Sequence, residues 1–220
     1  MNVTRAFSFV FDDPDWWQPV LVVGLLQLVP VIGQIAALGC VLFVARAVVS
    51  GHDRPLPRLN QFGLVFSEGL KGALIAITYY LPVFLLVCLF VCFAVAVVVA
   101  TGNDQTAAGI LVVTVLCLNV LLLPLSVIIQ VLLIVGSGNY VASGTVGSAL
   151  QIGGVLSLFQ RNPAEWLVLW LLSILCNVVA GMGAVGLVIG ALFTTAYAAL
   201  VFGHLLGQAV RQVSSPLLQE

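Results

Sequence analysis

Charge is what this sequence has least of. Its 220 residues include seven Lys and Arg and eight Asp and Glu, 7% of the chain, against about 25% in an ordinary globular protein. A formal net charge of −1 leaves no basic surface for nucleic acid and no acidic one for cations. Histidine is scarcer still, with His52 and His204 alone. No Gly-rich phosphate loop, nucleophile elbow or His-Glu-x-x-His zinc motif is present. What is abundant is apolar: 62% of the residues, with a mean hydropathy of +1.22. That composition excludes a soluble enzyme, a disordered linker and a DNA-binding module, and predicts an integral membrane protein without enzymatic activity.

The few charges are confined. None falls between Trp16 and Ala45, Gly72 and Gly102, Gln105 and Gln160, or Trp166 and Val210. Crossing a hydrocarbon core of roughly 30 Å takes about 20 apolar residues, so these four tracts hold more than four crossings. Ahead of them, Arg5 is followed by Asp12, Asp13 and Asp15, the reverse of a signal-peptide order, which predicts no cleaved leader. The central unit is the pair of tracts 72–100 and 107–135 about the turn Thr101-Gly-Asn-Asp-Gln-Thr106. Each is 29 residues, about 44 Å as a straight helix, so tilt or projection beyond the core is expected. Pro82 and Pro124 each lie 21 residues from Asn103. In an antiparallel hairpin they share one depth, where both helices should bend.

The outer tracts carry breakers near their middles, Pro30-Val-Ile-Gly33 in one and Gly181-Met-Gly-Ala-Val-Gly186 in the other. Reading both as hairpins brings Arg5, Arg46, Arg54, Arg58, Lys71, Arg161 and Arg211 to one face, with Asp104 opposite. By the positive-inside rule that face is cytoplasmic, and so are both termini. The expected fold is therefore all-α: a polytopic helical protein of about six membrane segments in one domain over 1–220. Its hairpins fall near 17–49, 72–135 and 164–210, joined by interfacial linkers at 50–71 and 136–163. The outer two hairpins are short enough to be re-entrant. Pro14-Asp-Trp-Trp17 and Pro163-Ala-Glu-Trp166 repeat a helix-start signal at an offset of 149 residues. Within the first linker, Phe62, Val65 and Phe66 share a helical face, with Gln61, Glu68 and Lys71 away from it, as in an interfacial helix entering the next span.

Few residues carry chemistry. Cys40, Cys88, Cys92, Cys117 and Cys176 all sit in apolar tracts, where cysteine behaves as a small hydrophobe, so no metal site is expected. His204 is the single candidate for pigment or cofactor ligation; otherwise no cofactor is called for. Asp12, Asp13 and Asp15 are expected to cap a helix or face water. Gln27, Gln34, Asn119, Gln130 and Asn177 read as interhelical hydrogen bonders or as the lining of a path for a neutral solute. The most specific packing pattern is a stripe of small residues, Ala191, Thr195, Ala199, Gly203 and Gly207, beside a second row, Gly186, Gly190, Thr194 and Ala198. In lipid such faces bring helix backbones together, which predicts that they meet another helix while Tyr197 and Val201 point elsewhere.

Gly51-His-Asp-Arg-Pro-Leu-Pro-Arg-Leu-Asn-Gln-Phe-Gly63, Gly69-Leu-Lys-Gly-Ala-Leu74 and Tyr79-Tyr-Leu-Pro82 resemble the pattern of the domain-of-unknown-function family numbered 4013. The resemblance extends to Phe11-Asp-Asp-Pro-Asp-Trp16, the Pro30–Gly33 break, and Gly39 with Val44-Ala-Arg46. It is good over 5–135 and loose beyond, and departs at Gly39-Cys40 and at Arg58-Leu-Asn60. It implies a polytopic protein of a prokaryotic inner membrane and brings no activity with it. The expected role is a structural or accessory subunit of a larger membrane complex, in contact with lipid, other membrane subunits or itself, and not nucleic acid. The alternative is a passive permease or channel for a small neutral solute.

Overall fold

The computed structural model describes residues 2–52, 54–101, 104–183 and 188–214, and among them there is no strand. The helices are α1 (Val3–Ser8), α2 (Trp17–Leu26), α3 (Pro30–Val49), α4 (Phe62–Thr101), α5 (Asp104–Ser143), α6 (Val146–Leu150), α7 (Ile152–Arg161), α8 (Pro163–Met182) and α9 (Val188–Ser214). Local chemistry sets their ends. The Asn2 side chain accepts the Arg5 N–H at 3.0 Å and caps α1, and prolines occupy the first turns of α3 and α8, where no N–H is needed. Gly51 (φ 74°) and Gly144 (φ 79°) take the left-handed backbone that stops α3 and α5.

Among the described residues five helices are long and apolar enough to cross a bilayer: α3, α4, α5, α8 and α9. The protein is a polytopic helical membrane protein. α2 has 10 residues, about 15 Å, half of what a crossing requires. The 40-residue α4 and α5 are each about 60 Å long, and both run on through Pro82 and Pro124. The stretches expected as linkers are partly absorbed by them: Phe62–Lys71 forms the opening turns of α4, and 136–143 the closing turns of α5.

The chain divides into two compact units, Met1–Ile75 with Ile134–Glu220, and Ala76–Leu133. In the first unit α9 is the central helix. α3 runs parallel to it, because a Cβ on Gly203 would sit 2.6 Å from the Val41 oxygen and one on Gly207 2.7 Å from the Ala45 oxygen. The N-terminal segment runs the other way. Asn2 exchanges hydrogen bonds with the Gln208 side chain at 2.7 and 3.3 Å, the Tyr197 hydroxyl donates to the Phe7 carbonyl at 2.6 Å, and Gly24 lies against Phe193. The first tract is thus a hairpin with one arm built from α1, a short 3-10 turn (Phe9–Asp12) and α2, and the other from α3. α8 lies antiparallel to α9, with Trp166 fully buried near Val210 at one end and the Thr194 hydroxyl donating to the Ala180 carbonyl at 2.8 Å toward the other.

This arrangement corrects the one-sided reading of α9. Gly203 and Gly207 do face α3 across a very short distance, but Val201 is fully buried and Tyr197 is tied to the N-terminal segment. A helix enclosed by α1, α2, α3 and α8 has no idle face. Ala191 and Thr195 lie nearer its half-buried start, with the Thr195 hydroxyl donating to the Ala191 carbonyl at 2.7 Å. Gly186, with Ala184 and Val185 of the 181–186 breaker, lies outside the described residues.

The opening turns of α4 are also corrected. The buried face reads Val65, Glu68, Gly69, Gly72 and Ile75, while Leu64, Phe66, Leu70 and Leu74 are exposed. α3 approaches so closely that a Cβ on Gly39 would run into the Val65 carbonyl and one on Gly69 into the Ile35 carbonyl. In lipid the bulky apolar side chains turn outward and the small ones inward.

The second unit consists of the α4 and α5 segments within Ala76–Leu133. Phe84, Leu89 and Phe93 on α4, and Leu116, Val120 and Leu123 on α5, are exposed, the composition of a lipid-facing surface. Gly102 and Asn103, at the centre of the expected turn, lie outside the described residues.

Candidate functional site

The charged side chains of the first unit collect at one end, where α3, α5 and α9 finish and α4 and α8 begin. Asn2 against Gln208, Gly207 against Val48, and Gly138 between Trp166 and Val210 bring those termini together. The physical cause is the apolar tracts themselves: with no charge tolerated inside a span, every charge is left at a helix end.

At the centre of this end is a cluster that residue spacing alone did not predict. Glu68 on α4 is 9% exposed. Its Oε1 accepts from Arg46 Nη1 at 3.2 Å and from Lys71 Nζ at 2.9 Å, and its Oε2 accepts from the Tyr140 hydroxyl at 2.7 Å. The Arg46 guanidinium also lies 4.6 Å above the Tyr140 ring. A buried carboxylate is tolerable only when its oxygens are satisfied in this way. The cluster pins α3, α4 and the end of α5 together, and is a fastening more than a reactive site.

Two clefts flank the loop between α3 and α4. One, about 440 Å³, is lined by Arg5, Asp12, His52, Arg54, His204 and Arg211, among others. The Phe11–Trp16 and Gly51–Phe62 segments, far apart in sequence, both contribute to it. The other, about 370 Å³, lies between the end of α3 and the start of α4 and is lined by Arg46, Arg54 and Arg58 together with Phe43 and Leu64.

The residues singled out from sequence fall as follows. His204 is 7% exposed, stacked on Phe9 at 4.3 Å, with its Nδ1 3.0 Å from Gln208 Nε2. It is packed into the helix assembly at the floor of the first cleft. Asp13 accepts the Asp15 N–H at 3.0 Å, and Asp15 accepts from Gln18 Nε2 at 3.1 Å, local turn bonds just ahead of α2. The five cysteines are free, and among the described residues no group of three His, Cys, Asp or Glu could hold a metal. Gln27 bridges the α2–α3 corner by donating to the Gly33 carbonyl at 3.3 Å. Asn119 and Asn177 were expected to bond between helices. Instead each donates to a carbonyl four residues back in its own helix, Val115 and Ser173, both at 2.8 Å.

No curated protein and no solved structure matches the chain. A family model does match residues 22–206; its description reads "Protein of unknown function (DUF4013)".

Proposed function

We propose that this chain, which belongs to the DUF4013 family over residues 22–206, is a non-enzymatic structural or accessory subunit of a larger assembly in a prokaryotic cytoplasmic membrane, with its charged end toward the cytoplasm. The observation that carries the reading is the use made of polar groups inside the spans. Asn119, Asn177, Ser173 and Thr195 each donate to a backbone carbonyl of their own helix at 2.6–2.8 Å. The donors bonded in this way are used within their own helices. A scaffold needs nothing more, whereas coupled transport ordinarily uses intramembrane carboxylates or bases.

The permease reading has one observation in its favour. A cleft of about 180 Å³ between α3, α8 and α9 is lined by Val41, Ser173, Asn177, Thr195 and Ala199. Its polar members are the self-bonded ones, which supports the accessory role over passage of a solute. The test is purification of the full chain from native membranes in mild detergent, followed by native mass spectrometry. Stoichiometric co-elution with other membrane subunits is expected. A lone species that makes liposomes leaky to a small neutral solute overturns the proposal.

A further inference from the structure

The geometry points to a phospholipid site in the cleft between the end of α3 and the start of α4: its arginines hold the lipid phosphate while its apolar wall receives the glycerol and upper acyl chain. Three features combine there. The first is unbalanced charge. Arg46, Arg54 and Arg58 line the cleft, and among the described residues the one carboxylate in its lining is Glu68. Glu68 is already shared by Arg46, Lys71 and the Tyr140 hydroxyl. Among the described residues Arg54 and Arg58 have no carboxylate within 4.0 Å, the two ion pairs there being Arg46 and Lys71 with Glu68. Both arginines are exposed, and a guanidinium fork is the group best suited to a phosphate.

The second feature is the apolar part of the lining. Phe43, Leu56 and Leu64 border the same cleft, and Leu64 is 61% exposed. A free inorganic phosphate has no use for such a wall; an acyl glycerol does. The third is depth. Among its lining residues, Arg46 follows directly on the uncharged tract that ends at Ala45, and Glu68 lies about one turn before the tract that begins at Gly72, so the inner end of the cleft sits at the level where headgroups lie. Basic pockets at the ends of membrane helices take anionic headgroups for this reason. The size, about 370 Å³, admits a phosphoglycerol headgroup and leaves the chains to the bilayer.

The chemistry recognised is a phosphodiester monoanion on an apolar stem, and a soluble phosphate offers the same oxygens. The test separates them with full-length protein purified in a zwitterionic detergent. Native mass spectrometry counts bound lipid, and thermal melting is followed on addition of phosphatidylglycerol, phosphatidylcholine or inorganic phosphate. Expected is one retained phosphatidylglycerol and a melting shift specific to it. Removing two surface arginines, each contributing about fivefold near an anionic headgroup, should weaken phosphatidylglycerol binding about 25-fold in Arg54→Gln/Arg58→Gln. Both side chains are exposed, so the fold should tolerate the change, and unchanged melting without lipid verifies this. Arg161→Gln, outside the cleft, should bind as the parent does. The proposal is overturned if the double variant retains phosphatidylglycerol undiminished, if Arg161→Gln loses as much, if phosphatidylcholine binds equally, or if inorganic phosphate alone reproduces the melting shift.

Discussion

A single methyl group added to Gly203 should destabilise the protein, and the sign is not obvious in advance. In an exposed helix Gly→Ala stabilises by up to about 1 kcal/mol, because alanine loses less backbone freedom. At Gly203 the new Cβ would sit 2.6 Å from the Val41 oxygen, 3.0 Å from the Val41 Cα and 3.1 Å from the Val44 Cβ. The obstacle is backbone of a neighbouring helix, so it cannot be relieved by a rotamer change. Restoring the 3.4 Å at which ordinary contact begins means parting α3 and α9 by about 0.8 Å, a gap that forfeits a quarter to a half of the dispersion contact along the seam. It also lifts Gly207 off Ala45 and Val48. Overpacking of this kind costs about 1–3 kcal/mol, so the net effect after the propensity gain is about 1–2 kcal/mol of lost stability. In a chain of this length that is a melting decrease of roughly 2–8 °C. Intrinsic tryptophan fluorescence in mild detergent reads it. Gly109→Ala is the control, since nothing lies within 4 Å of a Cβ there, and it should melt at or slightly above the parent. If Gly203→Ala and the bulkier Gly203→Leu both melt like Gly109→Ala, α3 and α9 do not meet along this row.

Val201→Leu should also lower the melting temperature, because the side chain is fully buried and extra volume there costs about 1–3 kcal/mol; parent-like melting would place Val201 on a lipid face. At the Glu68 cluster, Tyr140→Phe removes one hydrogen bond and should cost about 1 kcal/mol, while Glu68→Ala strands Arg46 beside the Tyr140 ring and should cost about 3 kcal/mol. Equal melting of the two variants would show that the carboxylate does not anchor the cluster. Single cysteines at Asn2 and Gln160, in a background without native cysteines, should react with an impermeant thiol reagent from the same side of the membrane, and labelling from opposite sides would contradict the gathering of helix ends. Reconstituted protein should show no uptake driven by a proton or sodium gradient, and a reproducible gradient-dependent current would refute the accessory role.

The candidate site was legible in pieces. Arg46, Arg54 and Arg58 stand out because an apolar chain leaves its charges at helix ends, and the Gly51–Gly63 stretch carried the family resemblance. Glu68 did not stand out, for a physical reason. A helical wheel drawn with soluble-protein rules turns Phe62, Val65 and Phe66 inward and the carboxylate outward. Between lipid and protein the preference is the reverse for bulky groups, and the face that packs on α3 is Val65, Glu68, Gly69 and Gly72. Tyr140, 72 residues away, has no local pattern linking it to Glu68. The polar residues Asn119 and Asn177 were recognisable as buried hydrogen bonders, but spacing does not say whether the acceptor lies on a neighbour or on the same helix.

Hydropathy and charge by themselves determined that this is a helical membrane protein, where its apolar tracts lie and where its charges must be, because the hydrocarbon core admits few alternatives to uninterrupted, uncharged helix. They also marked Gly203 and Gly207 as points of close helix approach, since little else in lipid draws helices together. Only the tertiary structure decided that α9 is surrounded, so that Val201 is as buried as the glycines, and that the N-terminal arm is assembled from α1, a 3-10 turn and α2. It alone brought Arg46, Glu68, Lys71 and Tyr140 into one cluster. Contacts of this kind depend on which helices become neighbours. That choice is made by shape and by the pairing of a few polar groups between distant segments, information that no periodicity within a single helix contains.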